Sequence, residues 1–140
     1  MKIKRVDHLI LTVTDIARAI RFYHEVFDMP IINFKDKREP HCVRCGHQLL
    51  EFQTVKQPQQ PAATNPTVNS AAATNPTVNS AAFCIITGDK LSDVCNHLES
   101  YYVPIVAGPL KQIGSEGPMM SIYIHDCDQN LIEISSYQNK

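Results

Sequence analysis

The chain has 140 residues, 13 Lys and Arg against 14 Asp and Glu, no Trp, and 44% apolar residues. That is the length of one ordinary globular domain, and a net charge of −1 supplies no general field for nucleic acid or an anionic membrane. No local basic patch makes up for it, and no apolar run approaches the roughly 18 residues of a membrane span. Basic Lys2, Lys4 and Arg5 give way to Thr12, Thr14 and Asp15 with no small-residue cleavage site. The expectation is a soluble cytoplasmic protein that binds neither nucleic acid nor membrane, with its five cysteines reduced.

In chain order, Val6 to Val13 is β-rich, and Asp15 is a plausible N-cap for a helix. The apolar positions of that helix, Ile16, Ala19, Ile20, Tyr23 and Phe27, recur at helical spacing, and Pro30 stops it. Three short runs follow, Ile31 to Phe34, His41 to Cys45 and His47 to Thr54, separated by charged or glycine turns as in an antiparallel meander. From Lys56 to Ala81 the composition changes. AATNPTVNSA occupies Ala62 to Ala71 and recurs unchanged from Ala72 to Ala81, with four prolines and no charge beyond Lys56. Such a stretch buries too little apolar surface to offset its ordering entropy, so it reads as a linker or protruding loop, with a β-hairpin of the two copies as the alternative.

Beyond it, Phe83 to Thr87 is a strand, and Gly88-Asp89 opens a helix striped by Leu91, Val94, Cys95, Leu98 and Tyr101 and ended by Pro104. Ile105 to Val106, Ser121 to His125 and Asn130 to Ser136 supply later strands, with Gly114, Gly117 and Pro118 in a loop. A second repeat now shows. Sliding the chain by 74 residues lays Asp15 on Asp89 and Met29-Pro30-Ile31 on Val103-Pro104-Ile105, and an offset of 82 lays Leu50-Glu51-Phe52 on Ile132-Glu133-Ile134. The expected fold is α+β: two βαβββ modules, residues 1–55 and 82–140, flanking the loop 56–81 in a single domain and forming a cupped mixed sheet.

Strand parity then selects the site. Leu9, Leu11 and Val13 oppose His8, Ile10 and Thr12; Leu50 and Phe52 oppose Leu49, Glu51 and Gln53; Ile132 and Ile134 oppose Leu131, Glu133 and Ser135. With the apolar sets packed under the helices, His8, Glu51 and Glu133 share the other face, and an imidazole with two carboxylates is a metal-ligand set. Gln53 reads as surface, with a neutral ligand or substrate hydrogen-bonder as alternatives.

VDHLILTVTDIARAIRFYHEVFDMP together with SIYIHDCDQNLIEISSY resembles the vicinal-oxygen-chelate superfamily of glyoxalase I, bleomycin- and fosfomycin-resistance proteins and extradiol dioxygenases. The resemblance covers both modules and leaves out the loop. It implies a divalent metal, a small-molecule substrate and a homodimer, with ligands from the first and fourth strands of each module. Carried over, His8, Glu51 and Glu133 fall on ligand positions, while the fifth-strand position falls on Ala82, which cannot bind metal. One His with two carboxylates suits Mn, Ni, Co or Zn better than the two-histidine iron site of a dioxygenase.

The expected activity is that of a metal-dependent glyoxalase-like lyase or isomerase, with metal on His8, Glu51 and Glu133 and with Glu133 or Glu51 as general base. The alternative is a binding or resistance protein on the same scaffold. His41, Cys42, Cys45 and His47 crowd into seven residues, but on a strand the two thiols point to opposite faces, so they read as strand thiols with solvent-side imidazoles. Cys84 and Cys95 read as buried small residues. Arg21, Arg38, Arg44 and His125 stay unassigned.

Overall fold

The structure, a computed structural model, describes residues 1–33, 39–56 and 81–137. The loop expected over 56–81, with its duplicated decapeptide, lies outside the described residues except for Lys56 and Ala81. The chain divides into two compact units, Met1–Ser80 and Ala81–Lys140.

In the first unit the order is β1 (His8–Thr12), α1 (Ile16–Phe27), β2 (Ile31–Ile32), β3 (Cys42–Cys45) and β4 (Gln48–Gln53). Asp15 caps α1, its carboxylate accepting from the Arg18 backbone N–H at 3.0 Å. The helix ends before Pro30: Asp28 takes the left-handed conformation at φ 56°, and its N–H returns to the Tyr23 carbonyl. The sheet order is β1-β4-β3-β2, with β1 parallel to β4 and the rest antiparallel. Between β3 and β4 the turn is Gly46-His47, with Cys45 opposite Gln48 and Gly46 at φ 61°.

The second unit repeats this with β5 (Ala82–Ile86), α2 (Leu91–Ser100), β6 (Ala107–Gly114), β7 (Gly117–His125) and β8 (Leu131–Tyr137), in the sheet order β5-β8-β7-β6. Register supplies the proof of the repeat. His8 pairs with Leu49 as Ala82 pairs with Leu131, and Ile10 with Glu51 as Cys84 with Glu133, which reproduces the offsets of 74 and 82.

One face of each sheet is apolar, as parity requires. Leu11, Val13, Leu50 and Phe52 are buried in the first unit, where the Phe52 ring lies 5.2 Å from Tyr23 of α1. In the second unit Ile122, Ile124, Ile132 and Ile134 are buried with Leu98 of α2. Each such fully buried side chain contributes roughly 1.5–3 kcal/mol.

Two local expectations fail. The strand expected at Ile105 to Val106 instead begins at Ala107, and Gly114, Gly117 and Pro118, expected in a loop, lie in strands: β6 and the lengthened β7 form a hairpin around Ser115-Glu116. Gly and Pro in β6 hide it from sequence reading, and it tolerates them because it is an edge strand with a register shift between Ala107 and Leu110. The α2 N-cap is Lys90, because Thr87 Oγ1 accepts the Asp89 N–H at 3.0 Å and draws Asp89 into the preceding turn.

Candidate active site

The open face of the first unit is built from β1, β4 and the start of β3. Glu51 sits mid-strand on β4, opposite Ile10 on one side and Cys42 on the other, and is 1% exposed. His8, at the start of β1, directs Nε2 to 3.7 Å from Glu51 Oε2. On its other side, His8 Nδ1 lies 2.9 Å from Asp7 Oδ2. With Nδ1 bonded to Asp7, His8 turns Nε2 towards Glu51, the carboxylate–imidazole arrangement that orients a metal-binding imidazole. This hydrogen bond is the main reason the Asp7 carboxyl is held below its ordinary value, with the positive charges of His8, Arg5 and Arg44 adding to it.

His41 approaches Glu51 from the opposite side, with Nε2 4.0 Å from Oε1. It is 2% exposed, so the reading of His41 as a solvent-side imidazole is wrong. The backbone explains the burial: the His41 carbonyl accepts the Phe52 N–H at 2.7 Å, which extends the β3–β4 pairing by one residue and carries the ring inward. Counting outward from the Gly46-His47 turn sets Cys42 opposite Glu51 and His41 opposite Phe52, so register alone does not bring His41 to Glu51. His47, in the turn itself, is exposed as expected. Gln53, read as surface, is also buried, and its amide nitrogen donates to Thr12 Oγ1 at 2.8 Å, which ties β4 to β1. Cys42 and Cys45 behave as strand thiols; Cys42 Sγ donates to the Ile32 carbonyl at 3.1 Å.

The matching face of the second unit carries Glu133, opposite Cys84 on β5 and Tyr123 on β7. Ser135 Oγ donates to Glu133 Oε2 at 3.3 Å and makes a 2.6 Å hydrogen bond with Ser121 Oγ and one of 3.2 Å with Cys84 Sγ. Tyr123 also hydrogen-bonds Glu133, and its phenol is pushed up, first by burial and then by the carboxylate's charge. Tyr123 therefore remains a donor at neutral pH. Cys84 is exposed, contrary to expectation, because β5 is an edge strand whose open face bears it. Its thiol is raised chiefly by desolvation, with Ser135 opposing and Glu133 adding to the rise, so it is not an activated thiolate.

Of the three expected ligands, His8 and Glu51 come together in the first unit, while Glu133 belongs to the second. Ala82 holds the position that His8 holds in the first unit, so the register fixes the missing ligand there. Among the described residues no group of three or more His, Cys, Asp or Glu side chains is placed to hold a metal ion. The pair itself fits a divalent ion: a lone-pair nitrogen and a carboxylate oxygen 3.7 Å apart are donors of the right type at a spacing that one ion can bridge. Sequence reasoning missed His41 and Tyr123. Tyr123 was open to discovery by register, being the β7 partner of Glu133.

Two βαβββ units, each with a parallel first-and-last strand pair and an acid on its open face, define a paired-module α+β protein. The sequence profile of the Glyoxalase/Bleomycin resistance protein/Dioxygenase superfamily matches residues 5–134, and the chain belongs to that superfamily. It is 39% identical over 137 residues to Virulence protein STM3117 of Salmonella typhimurium, covering 98% of this chain and 87% of that one. The crystal structure of that protein matches with a TM-score of 0.83 over 98% of this chain and 99% of the other. The Glyoxalase domain-containing protein RDO1 of Mycosarcoma maydis is 32% identical over 139 residues, 99% of this chain and 72% of its own. At the level of fold alone, a lactoylglutathione lyase from Agrobacterium tumefaciens matches with TM-score 0.68 at 21% identity, covering 97% of this chain and 96% of the other. An antibiotic-binding protein from a Streptomyces species, TnmS3, matches with TM-score 0.66 at 18%, covering 97% and 98%. No helix among the described residues is long and apolar enough to cross a membrane.

Proposed function

We propose that this protein is a glyoxalase-like lyase or isomerase acting on a small carbonyl compound with two adjacent oxygens. The observation that carries the reading is the His8–Glu51 pair: a buried carboxylate facing an imidazole whose other nitrogen is bound by Asp7. A divalent ion, Ni, Zn, Mn or Co, would be held by His8 and Glu51 with Glu133 as the further carboxylate, and when bound it supplies Lewis-acid stabilisation of an enediolate.

The remaining steps belong to the chain's own residues. Glu133 takes the proton from the carbon next to the carbonyl and returns it to the neighbouring carbon. Hydrogen bonds from Ser135 and Tyr123 fix the orientation of its carboxylate for both transfers. Positioned proton transfer of this kind contributes about 10²- to 10⁴-fold. His8 and Glu51 supply the charged groups of the first unit, and Gln53 locks β4 to β1 beside them. By the family's habit the working form is a homodimer in the cytoplasm.

A second reading has its own observation. Ala82 leaves the second unit with one ligand type where the first has two, which favours a protein that binds a metabolite or antibiotic without changing a bond.

The test is a substrate screen of hemithioacetals and fosfomycin with wild type, His8→Ala and Glu133→Gln. The lyase reading expects metal-stimulated turnover of a hemithioacetal that either substitution reduces at least about 10²-fold. Turnover that survives His8→Ala overturns it, and tight binding of a compound with no turnover supports the second reading.

A further inference from the structure

Sheet register brings one arginine onto the face of His8 and Glu51. Arg44 on β3 lies opposite Leu49 of β4, and Leu49 in turn lies opposite His8 of β1, so His8, Leu49 and Arg44 form one row across three strands. Residues two apart on a strand share a face, so the neighbouring row of Ile10, Glu51 and Cys42 lies on the same side. We infer that Arg44 is a specificity-determining residue that takes an anionic group, a carboxylate or a phosphate, on a substrate held at His8 and Glu51. The inference rests on the proposed function for what His8 and Glu51 hold, but the anion subsite is a claim about this face of the first unit alone.

Arg44 is exposed and Leu49 half-buried, so the row runs cation, apolar floor, imidazole. Three adjacent strands put the Cα atoms of Arg44 and His8 roughly 10 Å apart, and an arginine stem lying along the leucine closes much of that gap. Among the described residues no Asp or Glu lies within salt-bridge distance of Arg44, so the guanidinium keeps its forked donors for a ligand. Its charge, with that of Arg5, does reach the carboxyl of Asp7, the neighbour that holds His8 Nδ1. The rim beside His8 therefore carries two exposed cations against one exposed carboxylate. The other arginines left unassigned by spacing do not compete. Arg21 belongs to α1, which packs through Tyr23 on Phe52, and Phe52 faces away from Glu51; Arg38 lies outside the described residues. A compound bound through two adjacent oxygens at His8 and Glu51 thus meets Arg44 along the row. One with a carboxylate or phosphate a few bonds from its carbonyl is favoured over a neutral one of the same size.

The experiment has a metal-loaded and a metal-free arm. In the first, acetohydroxamate and succinate monohydroxamate, which share one pair of adjacent oxygens and differ by a carboxylate, are titrated calorimetrically into the Co(II)-loaded full chain. Wild type is expected to prefer the anionic probe at least about fivefold. That preference should fall to within about twofold in Arg44→Gln, be partly kept in Arg44→Lys and be kept in full in Arg21→Gln, and it should shrink as NaCl rises. No preference in a wild type that binds the probes, or a preference that survives Arg44→Gln, overturns the assignment. In the second arm, succinamate, which has the same carboxylate without the chelating pair, is titrated into the chelator-treated full chain and followed by backbone amide NMR. Saturable shifts at Arg44, Leu49 and His8 in wild type that vanish in Arg44→Gln are expected, and their absence in wild type overturns the anion subsite. A wild type that binds neither hydroxamate counts against the metal reading alone, and the NMR arm then decides the subsite by itself.

Discussion

Replacing Glu51 by Gln should make the metal-free protein more stable. The carboxylate is 1% exposed, and carrying an ionised group into such a place costs several kcal/mol. The return comes from His8 at 3.7 Å and His41 at 4.0 Å. A full charge pair at 4 Å is worth about 4 kcal/mol at an effective dielectric of 20. Neither contact is within hydrogen-bonding distance, so each returns well under that figure. The balance leaves a net cost, and an isosteric amide that relieves it should raise stability by about 1–2 kcal/mol, a common yield when a functional group is removed from a buried site. For a chain of this length that is a rise in Tm of about 3–8 °C, read by thermal melts in chelator. A fall in Tm of more than about 3 °C at pH 8 would refute the reasoning and make Glu51 a structural residue.

Three further outcomes follow from the geometry. Because the Asp7 carboxyl is lowered from 3.8 in the folded state, its contribution is whole above that value and fades as the pH falls through the lowered one. The Tm difference between wild type and Asp7→Asn, small at this exposed site, should therefore close as the pH falls below 3.8, and a gap that widens there would show the wrong sign. Cys84 should alkylate slowly with iodoacetamide at pH 7.5 despite its exposure, faster in Glu133→Gln and slower in Ser135→Ala, as followed by peptide mass spectrometry. Gly108→Ala should lower stability by about 3 kcal/mol or more, because Gly108 has φ +101° and a Cβ there meets the Ser121 carbonyl oxygen at 2.5 Å and Ile122 Cα at 2.9 Å. A chemical melt within about 1 kcal/mol of wild type would contradict that steric argument.

What could be read from the sequence was what repeats. Alternation in LILTV, LLEFQ and LIEIS names the buried faces, and the 74- and 82-residue offsets fix the equivalence of His8 with Ala82 and of Glu51 with Glu133. Strand parity also shows that His8 and Glu51 share a face, since one periodicity governs both strands. Less legible was anything set by pairing rather than by period. The β6 strand carries Gly108, Pro109 and Lys111, which argue against a strand until its edge position is known. The burial of His41 and Gln53 depends on β4 lying between β1 and β3, a tertiary fact that local polarity opposes. Cys84 erred the other way: an apolar neighbourhood in FCII suggested burial, but its face of an edge strand is open.

The central claim, that His8 and Glu51 mark a divalent-metal site, meets its most direct test in metal stoichiometry. Purified wild type would be exposed in turn to Ni, Co, Mn and Zn, exchanged into metal-free buffer and assayed by elemental analysis alongside His8→Ala. The account predicts about one ion per chain with at least one of these metals, and below about a fifth of that in the variant. Wild type that stays below about half an equivalent with all four, or a variant that binds as well as wild type, would contradict it.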